Sequence, residues 1–249
     1  MNKKFCIANW KMYLNNNEST SFVKSFINKY FDKNVEVVLC PSYVSIKDIS
    51  NLIYSNDSIQ LGAQDMSLHQ KGAYTGDVSL DMLDELSCSY VIIGHSERRL
   101  NHNENNLKIN KKLFILDESN ITPIICIGES FEERKAGITK NILQQQISEI
   151  FANNKGNNKK DCIIAYEPIW AIGEKNKAAD VNYCNESISY IRKSALKKLN
   201  KVSVIYGGSV NEKNYSKFTE SKFIDGIFIG RAALNANNFI KICKGIAKQ

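Results

Sequence analysis

Cys162-Ile163-Ile164-Ala165-Tyr166-Glu167 runs apolar without a break until a carboxylate ends it. A strand with one face in water alternates apolar and polar residues, whereas an unbroken run marks a strand buried on both faces, as in a parallel sheet covered by helices. Seven other short β-branched or apolar runs share the pattern, at residues 5–9, 35–40, 59–64, 90–94, 121–127, 202–207 and 224–230. Between them lie segments of 3.6-residue period, such as Phe22, Val23, Phe26, Ile27 and Tyr30, or Ile142, Leu143, Gln146, Ile147 and Ile150. That spacing puts the apolar residues on one face of a helix. Eight strand–helix units in 249 residues average about 31 residues, the size of one unit of an α/β chain closed into a (β/α)8 barrel. A doubly wound sheet is the competing architecture. It needs fewer strands and usually a Gly-rich first crossover, where this chain has Asn9-Trp10-Lys11-Met12. No composition break suggests a linker, so one barrel domain over residues 1–249 is expected. The most polar stretch, Asn153-Asn154-Lys155-Gly156-Asn157-Asn158-Lys159-Lys160, reads as a surface loop on the side opposite the active face.

Composition narrows the function. The chain has 33 basic and 26 acidic residues, for a net charge of +7, but only five of the basic residues are Arg. Nucleic-acid binding favours Arg clustered with aromatics on one face, so no nucleic-acid partner is expected. The seven Cys include no Cys-x-x-Cys, and Cys6, Cys40, Cys126 and Cys162 sit in strand-like runs where a reduced thiol packs as a small hydrophobe. A reducing, cytoplasmic setting follows. No apolar run reaches the roughly 18 to 20 residues that span a bilayer, so no membrane association is expected. The first strand-like run starts too early to follow a secretory signal.

In a (β/α)8 barrel the chemistry lies where strands end and βα loops begin. Those positions hold Asn9 and Lys11, then Gly94-His95-Ser96-Glu97-Arg98-Arg99, Glu167-Pro168, Gly207-Gly208-Ser209 and Gly230-Arg231. Any one of them has an ordinary structural reading: a lone His on the surface, a Gly pair in a turn, a Glu paired with Lys. Together they place a cation, an imidazole, a carboxylate and two Gly turns at one rim. Backbone without Cβ atoms approaches an anion closely, and barrels commonly bind phosphate after strands seven and eight. Zinc chemistry is disfavoured, because the three His lack partners at metal spacing. His95-x-Glu97 lacks the Pro-Cys-x-x-Cys of a deaminase, and a retaining glycosidase would need a second carboxylate about 5 Å from the first. One base, one imidazole and one cation suit moving a proton beside a carbonyl.

Asn9-Trp10-Lys11-Met12, residues 94–99, Cys126-Ile127-Gly128-Glu129, Tyr166-Glu167-Pro168-Ile169-Trp170-Ala171-Ile172-Gly173 and Tyr206-Gly207-Gly208-Ser209-Val210 closely resemble the triosephosphate isomerase family over essentially the whole chain. The resemblance implies a TIM barrel that interconverts dihydroxyacetone phosphate and glyceraldehyde 3-phosphate through an enediolate, in glycolysis and gluconeogenesis, with no cofactor and no metal. It implies Glu167 as the base, a neutral His95 at the carbonyl, Lys11 stabilising negative charge, Asn9 orienting the substrate and Glu97 pairing with Lys11. Gly173 on a lid from Pro168 to Ala178, with Ser209, Gly208, Gly230 and Arg231, is expected at the phosphate. A homodimer is also implied, with the loop from Gln64 to Val78 carrying Thr75 to the Asn9 and His95 region of the second copy. Loops above about 12 to 15 residues without structure are uncommon unless functional. Three departures stand out: Glu174-Lys175-Asn176-Lys177-Ala178 in the distal lid, Arg231 in place of a second Gly, and Phe228 at a usually aliphatic position. A barrel that binds a phosphometabolite without turnover would have lost Glu167, His95 or Lys11. A Schiff-base aldolase would put Lys at the end of strand six, where Glu167 stands.

Overall fold

The computed structural model describes residues 3–152, 161–173 and 177–249. Eight parallel strands close into one barrel in chain order: β1 (Lys4–Asn9), β2 (Val35–Cys40), β3 (Ile59–Ala63), β4 (Tyr90–Ile93), β5 (Thr122–Ile127), β6 (Cys162–Tyr166), β7 (Val202–Tyr206) and β8 (Gly226–Ile229). Closure is by β8 on β1, with Phe5 beside Gly226 and Ala8 beside Ile229. The expected (β/α)8 architecture is therefore the one observed. Five strands end one residue before the apolar run does, at Gln64, Gly94, Glu167, Gly207 and Gly230, because the chain there turns into the loop at the mouth. The polar stretch 153–160 and residues 174–176 of the expected lid lie outside the described residues.

Around the barrel run α1 (Asn16–Ile27), α2 (Tyr43–Ile53), α3 (Leu80–Glu85), α4 (Ser96–Asn101) and α5 (Asn106–Leu116). The second half contributes α6 (Phe131–Lys135), α7 (Thr139–Ile150), α8 (Val181–Ala195), α9 (Tyr215–Thr219) and α10 (Ala236–Ile246). Short polar side chains start them. Asn15 with Glu18 and Ser130 with Glu133 form capping boxes, and Asn105, Asp180 and Asn235 accept backbone N–H groups of the first turn. Phe22, Val23 and Phe26 of α1 and Leu143, Ile147 and Ile150 of α7 are buried, as their period requires.

Unbroken apolar strands acquire their reason in two separate cores. Ile7, Val38, Ile92, Ile124, Ile163, Ile205 and Phe228 fill the barrel interior. Their chain neighbours Cys6, Ala8, Val37, Leu39, Val91, Ile125, Ile164, Val204 and Ile227 pack outward under the helices. Successive side chains point to opposite faces of a strand, so both alternating sets are buried. All seven Cys are buried.

Candidate active site

The same alternation selects what faces the mouth. Continuing inward from Ile7, Ala165, Ile205 and Phe228, the next inward positions are Asn9, Glu167, Gly207 and Gly230. These residues and their loops surround a cavity of about 650 Å³. Asn9, Lys11, His95, Glu97, Glu167, Gly173, Gly208, Ser209, Gly230 and Arg231 all line it, so the residues expected at the reaction and at the phosphate are brought to one place; Thr75 is not among its lining.

Lys11 has φ 51°, a left-handed conformation uncommon for a long side chain and costing on the order of 1–3 kcal/mol. Two amides hold it there. Asn9 Oδ1 accepts the Lys11 N–H at 3.0 Å, and Gln64 Nε2 donates to the Lys11 carbonyl at 2.8 Å and to that of Cys40 at 3.1 Å. The strained turn aims the ammonium across the mouth, where it meets Glu97 Oε1 at 2.6 Å. Gln64 was legible only as the start of a loop; its support of Lys11 depends on β3 lying two strands away.

His95 caps α4. Its Nδ1 accepts the Glu97 backbone N–H at 3.2 Å, which leaves Nε2 to carry the proton of the neutral ring and to point into the cavity. Glu167 Oε1 lies 3.2 Å from Nε2, and Glu167 Oε2 accepts the Ser96 N–H at 3.4 Å. Both side chains are nearly sealed from solvent, at 6% and 5% exposure. Burial disfavours charge on each of them. The mutual attraction outweighs burial, drawing the His95 pKa upward and the Glu167 pKa downward. The backbone N–H on Nδ1 opposes the rise, since an imidazolium has no lone pair there to accept it. A substrate entering between ring and carboxylate removes the pull, whereas the backbone bond stays. One layer down is Cys126, whose thiol is raised well above its ordinary pKa by burial and by Glu167. In the sequence it stands as a packed thiol and as the first residue of the 126–129 motif, with nothing to place it beside Glu167. Gly128 admits the Glu167 backbone beside it: a Cβ there would lie 1.9 Å from the Glu167 carbonyl oxygen. Phe228, buried in the barrel, meets the His95 ring edge to face at 6.1 Å.

Opposite the carboxylate, the mouth is made of backbone. Ser209 Oγ donates to the Gly173 carbonyl at 3.3 Å, and Asn214 Nδ2 holds the Ser209 carbonyl at 3.1 Å. Arg231 opens a single 3-10 turn, is exposed, and has no positive φ. The described ends of the segment expected to form a lid are tied to the barrel. Buried Glu129 accepts from Tyr166, Trp170 and Tyr183, its carbonyl takes the Ile169 N–H, and the Arg134 guanidinium stacks 3.8 Å over Trp170. At the far end Ala179 N–H donates to Tyr206 Oη at 2.9 Å. Glu129 belongs to the residue 126–129 motif, yet nothing in its local sequence says that it ties down the segment after β6.

The loop from Gln64 to Val78 leaves the mouth on the β3 side. Its root is fixed by a buried ionic cluster, with Lys112 Nζ 2.6 Å from Asp65 Oδ1 and 2.5 Å from Glu104 Oε1, and Arg98 2.7 Å from Asp65 Oδ2. Lys112 joins these carboxylates only because α5 packs against the loop, and a mid-helix Lys gave no sign of it.

Comparison with known proteins agrees with this geometry. The family model described as triosephosphate isomerase matches residues 4–246. Curated relatives named triosephosphate isomerase include those of Dictyoglomus thermophilum (40% identical, covering 98% of this chain and 100% of the relative) and Blochmanniella pennsylvanica (38%, 97% and 95%). That of Thermoanaerobacter sp. is 38% identical over 97% of this chain and 99% of its own length. A match of that extent, on a closed eight-stranded barrel with these residues at its mouth, makes the chain a member of the triosephosphate isomerase family.

Proposed function

We propose that the protein interconverts dihydroxyacetone phosphate and D-glyceraldehyde 3-phosphate by proton transfer through an enediolate, as a step of glycolysis and gluconeogenesis. The observation that carries this reading is the 3.2 Å approach of Glu167 to the His95 Nε2 position, in a cavity that also holds Lys11. Glu167 takes the C1 proton of the ketose; the electron pair forms the C1–C2 double bond, and His95 Nε2–H supports the charge developing on the C2 oxygen. His95 Nε2–H then protonates the C2 oxygen and the ring takes the C1 hydroxyl proton in exchange, so that when Glu167 returns its proton to C2 the C1 oxygen closes to the aldehyde of the aldose. Asn9 and Lys11 orient the substrate and balance enediolate and phosphate charge, with Glu97 holding Lys11 until substrate arrives. Backbone N–H groups of Gly173, Gly208, Ser209, Gly230 and Arg231 receive the phosphate. Side chains carry the proton transfers and backbone N–H groups hold the phosphate, so no cofactor or metal is invoked.

The finer reading is a cytoplasmic homodimer built from one barrel domain over residues 1–249. Met12 is 95% exposed, and Val44, Tyr13 and Met82 are also exposed on the first three βα units. Large apolar side chains gathered beside a protruding loop favour burial against a second copy, with Thr75 reaching its Asn9 and His95 region. Buried thiols suit a reducing compartment. Among the described residues no helix is long and apolar enough to cross a membrane. A coupled assay with glyceraldehyde 3-phosphate, and solvent-hydrogen exchange into C1 of the ketose, test the reaction. Binding of a phosphate analogue without turnover would instead favour a non-catalytic binding barrel.

A further inference from the structure

The tip of the loop from Gln64 to Val78 is shaped by its own side chains. The rings of His69 and Tyr74 stack with centroids 3.6 Å apart and planes within 3°. Ser67 closes the base, with its N–H on the Val78 carbonyl, its hydroxyl on Asp77 Oδ2 at 2.6 Å and the His69 N–H on its Oγ. Tyr74 N–H bonds to the Gly72 carbonyl and Asp77 N–H to that of Tyr74, both at 3.0 Å. Gly72 has φ 140°, and a Cβ there would press on the Tyr74 ring at 3.0 Å. His69 is exposed and Tyr74 is 45% exposed, so neither ring is held by the barrel core.

From this we infer that the His69–Tyr74 stack presets the loop tip for insertion into a second copy of the chain, making His69 a positioning residue for Thr75. The inference rests on the homodimer reading above. A loop that must be ordered on association lowers affinity by the entropy of that ordering, and a loop already in its bound shape avoids the loss. Thr75 follows Tyr74 directly, so the clamp that fixes the phenol ring also fixes the direction of the next residue. His69 touches no reacting group. Its effect belongs in association, not in chemistry.

Analytical ultracentrifugation of the wild type, His69→Ala and His69→Phe tests this, with kcat per protomer at saturating protein concentration and hydrogen exchange at Tyr74 and Asp77. His69→Ala should raise the dimer dissociation constant about two- to tenfold, the scale of one lost aromatic pair, and speed exchange at both amides. Its kcat in the fully dimeric state should be unchanged, and His69→Phe should restore the wild-type constant. Unchanged association in His69→Ala overturns the inference while the dimer stands. Failure of His69→Phe to restore association also overturns it, because a role for the imidazole other than stacking is then at work. A wild type that remains monomeric at every concentration removes the dimer reading and the inference together.

Discussion

Both mouths of the barrel carry buried or half-buried ion pairs, but the groups around them differ. At the N-terminal mouth, Arg192 contacts Asp225 at 2.8 Å and also donates to the carbonyls of Val202 and Phe223. Asp225 Oδ2 accepts the Val204 N–H at 2.7 Å, and Lys4 Nζ donates to the carbonyls of Ser221 and Ile224. Those charges are tied to backbone that the strands themselves fix. At the C-terminal mouth Lys11 pairs with Glu97 and His95 with Glu167, side chain to side chain, around a cavity. Charges saturated by backbone hold a shape; charges saturated by mobile side chains can exchange those partners for a substrate. Stability and reactivity thus occupy opposite ends of the same strands.

The comparison is broken most directly at Glu167. Glu167→Gln should lower kcat at least about 10²- to 10⁴-fold, the usual size of a general base, with affinity for a phosphate analogue much less affected. Near-normal turnover in that variant would remove the C-terminal mouth from the chemistry. Next is Gly128→Ala, whose Cβ would collide with the Glu167 carbonyl. A displacement of the base by about 1 Å should cost on the order of 10²-fold in kcat, with the KM moving less; kinetics indistinguishable from wild type would mean that the backbone yields elsewhere.

Asp225→Ala sharpens the contrast from the other end. Loss of a charged acceptor serving Arg192 and the Val204 N–H should reduce unfolding stability by about 1.5–3 kcal/mol, discounted for its partial exposure, while kcat of the folded enzyme is retained. Urea unfolding beside steady-state assays separates the two effects, and a parallel fall in kcat would merge the two regions. The smallest effect is in titration. Glu167 draws the His95 pKa upward against burial, with a smaller pull from Glu97, so in Glu167→Gln, where only Glu97 opposes burial, His95 should titrate lower than in the wild type. A raised folded pKa gives stability that is full below the unfolded value near 6.5 and is lost as pH rises through the folded value. The wild type should lose that increment as pH rises from about 6.5, and Glu167→Gln should lose less. Nitrogen chemical shifts of His95 across pH 5 to 8, with thermal unfolding at each pH, measure both; an unchanged His95 titration would show that the backbone bond at Nδ1 alone sets the ring's state.

Much of this was legible before any coordinates. Strand positions followed from eight apolar runs, since a strand buried on both faces has no polar alternation to hide it. Most site residues followed from their place at the ends of those runs, whereas Gly173, Thr75 and the individual roles came from the family resemblance. Other features escaped because they depend on residues distant in the chain. Gln64 supports Lys11 across 53 positions, Glu129 gathers Tyr166, Trp170 and Tyr183, and Lys112 joins Asp65. No local period or spacing encodes such partners.

By itself the sequence determined the number and order of the strands, the helical faces that cover them and the residue types available at the mouth. It did so because hydrophobic period and strand-end position are local properties, set by side-chain chemistry within a few residues. Only the tertiary structure decided which nitrogen of His95 faces the cavity, that Lys11 is held in a left-handed turn, and that Cys126 lies under the base. It decided too that His69 stacks on Tyr74. Each of these is a distance between groups whose separation is fixed by barrel closure and loop packing, and a distance of that kind exists only once the chain has folded.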